Sequence, residues 1–101
     1  MEELGITGEM YDELLGLFIS QTEAALEDLT RALAAEDLAK IAGQAHFIKG
    51  SAANLRLEEI QAPAKELEFG AKGSKDIAVL QEVAQRLSAA FAQLKQALLT
   101  K

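Results

Sequence analysis

The chain contains one histidine and no cysteine, so imidazole chemistry has a single address, His46, and thiol chemistry has none. The residues one helical turn from His46 are Ala42 and Gly43 on one side and Lys49 and Gly50 on the other, and Ala53 continues the row. Two glycines inside one helix cost roughly 1 kcal/mol each relative to alanine. A helix selected only for stability has no use for them. On the exposed side of a helix they leave the imidazole above bare backbone, open to a large partner. Lys49, three residues on, can reach an anion held by that ring. A neutral imidazole nitrogen can attack an electrophilic phosphorus and hold the phosphoryl group covalently. The bland alternative is a lone surface or core histidine, with glycines that serve close helix packing and an ordinary solvated lysine.

Other chemistries lack their residues. A metal site would need a second histidine, a cysteine or the Glu-x-x-His pairs of di-iron bundles, and none is present. There is no Gly-x-x-x-x-Gly-Lys-Ser/Thr loop, and Gly50-Ser51 falls mid-helix, so no nucleotide and no other cofactor is expected. Ser51 is five residues from His46, which puts the two side chains on different helix faces and argues against a Ser–His nucleophile. Ten basic against 16 acidic residues give a net charge of -6, the wrong sign for a nucleic-acid footprint. No apolar run approaches the roughly 18 residues of a membrane span, and Met1-Glu2-Glu3-Leu4 is unlike a signal peptide. With no cysteine to oxidise, a reducing compartment, the cytoplasm, is the expected location.

The elements that must position these residues are helical. The chain has 101 residues, the size of one domain; half are apolar, only 5% are aromatic, and there is one proline. Tyr11, Leu15, Ile19, Thr22, Leu26, Leu29 and Leu33 recur at spacings of three and four, with Leu14, Phe18, Ala25 and Ala32 widening the stripe. That predicts a helix over residues 8–34, capped by Thr7, with a kink or break conceivable at Gly16. Asp37 should cap a second helix over 38–55, whose seam is Leu38, Ile41, Ala45, Ile48, Ala52 and Leu55. Ile60, Ala64, Leu67 and Ala71 mark a third over 58–72, ended by Gly73, a residue tolerant of positive φ. Pro63 would then distort its first turn; the alternative is a start at Pro63 after a longer loop. Ser74 or Asp76 caps a last helix over 76–99, with Ile77, Leu80, Ala84, Leu87, Phe91, Leu94 and Leu98 as its seam. Four amphipathic helices with short connections predict an all-α, antiparallel up-and-down four-helix bundle.

The run Ala45-His46-Phe47-Ile48-Lys49-Gly50-Ser51-Ala52-Ala53-Asn54-Leu55 resembles the signature of histidine-containing phosphotransfer (HPt) domains. The stretch Leu14–Leu33, the turn Ala35-Glu36-Asp37-Leu38 and Lys65-Glu66-Leu67-Glu68 also fall where that family has similar segments, so the resemblance covers nearly the whole chain. It implies that His46 is the phosphoacceptor, that Lys49 neutralises the phosphoryl oxygens, and that Gly50 leaves space for a partner's active site. Where the family often has glycine, this chain has Arg56, which should alter the end of the second helix.

The family also commonly has Gln or Glu on the following helix, bonded to the other imidazole nitrogen, and Glu68 matches that position. The register of the hairpin gives an independent argument. Residue 57 is midway between 46 and 68, so in an antiparallel pair centred there the two lie at one height, each one position past a seam residue, Ala45 and Leu67. A carboxylate accepting Nδ1–H would fix the tautomer and leave the Nε2 lone pair outward. The resemblance implies a monomeric phosphoryl carrier, not an autonomous enzyme, whose partners are response-regulator receiver domains and a hybrid sensor histidine kinase; the receiver would supply the divalent metal and most catalytic groups. The other readings open at this point are a non-catalytic helical interaction module and a bundle that merely oligomerises.

Overall fold

The computed structural model describes residues 8–73 and 76–99, with side-chain surroundings for 12–73 and 76–97. Four α-helices follow one another: α1 Gly8–Ala34, α2 Leu38–Asn54, α3 Glu58–Lys72 and α4 Ile77–Leu99. They form a four-helix bundle in which α2 and α3 pack most extensively on each other and α1 and α4 least. There is no strand among the described residues, and none of the helices there is long and apolar enough to cross a membrane.

Local sequence explains where the helices start. The Asp37 carboxylate accepts the Lys40 N–H at 3.2 Å, and Asp76 accepts the Ala78 N–H at 3.0 Å; each satisfies a donor that the first turn leaves free. Asp76 therefore fills the capping position before α4. The other candidate there, Ser74, and the expected cap of α1, Thr7, lie outside the described residues. α3 starts at Glu58 without a side-chain cap; instead the Leu57 carbonyl accepts both the Ile60 N–H at 3.1 Å and the Gln61 N–H at 2.9 Å. Pro63 sits inside α3, which starts at Glu58 and not at Pro63, and neither α3 at Pro63 nor α1 at Gly16 is broken.

The helix ends hold two surprises. α1 and α2 close in the same way. Glu36 (φ 54°) and Arg56 (φ 59°) take left-handed backbone. Their N–H groups bond the carbonyls of Leu33 and Ala53 at 3.1 Å, and the next N–H groups bond Ala32 and Ala52 at 2.9 Å. Arg56 thus does not alter the helix end. It adopts the conformation a glycine would, against a cost of roughly 1–2 kcal/mol for a residue with a Cβ. Gly73 ends α3 as expected, through an N–H bond to the Phe69 carbonyl at 2.9 Å, but with φ −86° it does not use its tolerance of positive φ.

The core follows the seams with one rotation. Ile41, Ala45, Ile48 and Ala52 of α2, all four seam residues of α3, and Leu80, Ala84, Leu87 and Phe91 of α4 are buried, with Val83 added. On α1 the buried line is Leu15, Phe18, Thr22, Ala25, Leu29 and Ala32. It runs between the two expected rows and leaves Leu14 outside at 41% exposure. Phe18 and Phe91 meet at 6.4 Å between ring centres, tilted by 58°, and the Lys95–Glu23 ion pair also joins α1 to α4.

Candidate functional site

His46 stands one position past Ala45, which is sealed in the core, so its ring leaves the bundle at the edge of the α2–α3 contact. The side chain is 67% exposed, yet its Nδ1 lies 3.0 Å from Oε2 of Glu68, which is 1% exposed. The two residues are 22 apart in sequence and meet across the hairpin at one height. One ring nitrogen is thus fixed from inside, while the ring is open to an approaching molecule.

A buried carboxylate must be compensated to stay charged. Lys49 from α2 reaches Oε1 at 2.7 Å, and Lys72, one turn beyond Glu68 on α3, reaches Oε2 at 2.8 Å. Led by the Lys49 and then the Lys72 ammonium, and against the pull of burial, these contacts hold the Glu68 carboxyl down at about 2. It is therefore ionised at neutral pH and can only accept hydrogen bonds. Nδ1 of His46 must then be the donor. In the neutral ring this leaves Nε2 as the nitrogen with the free lone pair.

The glycines flank this ring as bare surface. A Cβ built at Gly43 or Gly50 meets nothing within 4 Å, so neither glycine is there for close packing. Exposed apolar side chains lie nearby: Phe47 beside His46 at 42% exposure, and Leu14 and Leu17, which line a shallow α1–α2 groove with Ser51 and Asn54. On the other flank, Phe69 is exposed, with the Lys49 and Lys65 ammonium groups each 5.7 Å from its ring centre.

The structure thus brings His46, Lys49 and Glu68 into one contact group and leaves Gly50 as open surface on the same helix. Sequence reasoning passed over Lys72. Its signal was present, since Glu68 and Lys72 are an i, i+4 pair of opposite charge. That signal becomes informative only once Glu68 is known to be buried. Phe69 was also passed over, because nothing in the periodicity separates an exposed phenylalanine from a misplaced core residue.

A bundle that offers one imidazole, steered by a buried acid and edged by glycine, is a helical phosphotransfer module. The chain belongs to the Hpt domain family, whose model matches residues 13–97. It is 35% identical over 60 residues to Multistep phosphorelay regulator 1 of Schizosaccharomyces pombe, an alignment covering 58% of this chain and 20% of that protein. It is 32% identical over 71 residues to Phosphorelay intermediate protein YPD1 of Candida albicans, covering 69% and 39%. The chain thus spans well under half the length of these curated relatives. No solved structure matches it. Family membership places the chain among the phosphotransfer modules of two-component signalling.

Proposed function

We propose that the protein is a phosphorelay intermediate that carries a phosphoryl group on His46 between receiver-domain aspartates. The observation that carries this reading is the half-fixed ring, with Nδ1 held 3.0 Å from the ionised Glu68 and the side chain otherwise exposed. In the forward step the Nε2 lone pair attacks the phosphorus of an aspartyl phosphate in line. The N–P bond forms as the P–O bond to the aspartate breaks, and the carboxylate leaves with the electron pair. The ring becomes a phosphoimidazolium that keeps its proton on Nδ1, donated in a hydrogen bond to the Glu68 carboxylate. The reverse sequence loads the next receiver. Lys49 supplies positive charge to the phosphoryl oxygens, which bring about -1.5 to -2 charges, and Gly50 leaves room for the receiver's active site.

The exposed Phe47, Leu14 and Leu17 on the α1–α2 side offer an apolar surface against which a receiver can seat. The receiver contributes the remaining catalytic groups, so the chain acts as a carrier and not as an autonomous enzyme. A hybrid sensor histidine kinase is the upstream partner in this reading, the protein is a monomer, and its place is the cytoplasm.

The test is incubation with a phosphorylated receiver domain. Acid-labile label should appear on the wild type and not on His46→Gln. Equal labelling of both would overturn the proposal, and unchanged signalling by His46→Gln would favour a purely non-catalytic interaction module.

A further inference from the structure

Glu68 has more positive charge around it than its own neutralisation needs. One ammonium would balance one carboxylate, yet Lys49 and Lys72 both touch it, on different oxygens, at 2.7 and 2.8 Å. They differ in what else they can reach. Lys49 is on α2, three residues past His46, and can follow a group bound to that ring. Lys72 is on α3, one turn past Glu68, and shares Oε2 with the His46 Nδ1–H. In the resting protein the ammonium on the ring's own helix is therefore committed to Glu68. If it turned to a phosphoryl group with no substitute in place, a carboxylate sealed from water would lose its main counter-ion, an arrangement proteins avoid.

We propose that Lys72 is a positioning residue for the chemistry at His46, keeping Glu68 compensated so that Lys49 is free to leave that carboxylate for the phosphoryl oxygens. This rests on the reading that His46 carries the phosphoryl group. The second lysine makes the exchange possible: Oε2 keeps Lys72 and Nδ1–H, while Oε1 gives up Lys49. Lys72 then acts through Glu68 and never touches the phosphoryl group. Its side chain is 61% exposed, so its replacement leaves the core intact.

The experiment uses phosphoramidate, which loads an accessible imidazole without a receiver, and follows loss of the phosphohistidine signal by phosphorus NMR. In that loss the Nε2–P bond breaks and a water oxygen bonds to phosphorus. Inorganic phosphate is released, the electron pair of the broken bond returns to Nε2, and the ring ends as neutral imidazole. A lysine held on the phosphoryl oxygens slows the step by stabilising their charge. Lys72→Met should lose the group about fivefold faster than wild type, the scale of one partly exposed ion pair. Lys72→Arg should restore the wild-type rate. In a Glu68→Gln background there is no carboxylate to compensate, so adding Lys72→Met should change nothing further. A Lys72→Met rate equal to wild type, or the same acceleration in the Glu68→Gln background, would overturn the proposal; the second result would mean that Lys72 contacts the phosphoryl group directly. Failure of a phosphorylated receiver to label the wild type would count against the relay reading alone, because phosphoramidate loading needs no partner.

Discussion

As the pH falls past 4.5 an unfolded chain protonates its glutamates, but Glu68, held at about 2 by Lys49, Lys72 and the His46 ring, stays ionised in the bundle. Between those values the unfolded state binds the extra proton, so stability must fall as the pH falls. The contribution is complete above 4.5 and gone below about 2. Urea midpoints measured from pH 6 down to pH 2 should therefore drop more steeply for wild type than for Glu68→Gln; parallel slopes would show that Glu68 is not ion-paired as described. A second residue points the other way. Thr22 is fully buried, and its hydroxyl has no hydrogen-bond partner among the described residues. Thr22→Val keeps the shape and removes the stranded group, so it should stabilise the protein by about 1 kcal/mol. A chemical denaturation curve that moves to lower urea would refute this.

At the scale of the element, α2 places function where a stable helix would not. The space over Gly50 is open, so Gly50→Ala should stabilise the fold by roughly 1 kcal/mol through helix propensity alone. Gly50→Leu should also fold, yet slow transfer from a receiver by crowding the approach to His46. Thermal melts and transfer rates measured on the same two variants separate the effects, and a Leu variant with undiminished transfer would remove Gly50 from the partner surface. Much of this was legible in the sequence. The α2 and α3 seams are strict three–four repeats, and both the burial of Ala45 and Leu67 and the height match of His46 with Glu68 follow from them. Side-chain caps were legible too, because aspartate before an apolar run has a local cause. Backbone conformation at the helix ends was not. Arg56 is left-handed and Gly73 is not, the reverse of what residue preference alone favours. Nor could the sequence tell that the acid at 68 draws a third partner from its own helix, since Lys72 looks like any solvated lysine until Glu68 is buried.

The whole bundle is unevenly tied, and the site sits on its firmest part. α2 and α3 share the largest interface, with Ile41, Ile48, Ile60 and Leu67 all fully sealed, while α1 and α4 meet least. Across the α1–α4 seam lie the Phe18–Phe91 contact and the Lys95–Glu23 pair, and an exposed ion pair adds at most about 1 kcal/mol. A carrier of the kind proposed above, presenting one ring to successive partners, would gain from this arrangement. The Nδ1–Glu68 contact depends only on the α2–α3 spacing and is insulated from opening elsewhere. Local opening should therefore begin at the α1–α4 seam and leave the hairpin closed. Native-state hydrogen exchange checks this directly. Amides at Ile48 and Leu67 should exchange only through global unfolding, and those near Gln93 should exchange at least about tenfold faster, the ratio expected for an opening roughly 1.4 kcal/mol easier. Protection at Ile48 no greater than at Gln93 would mean that the bundle opens as a single unit and that the site has no privileged platform.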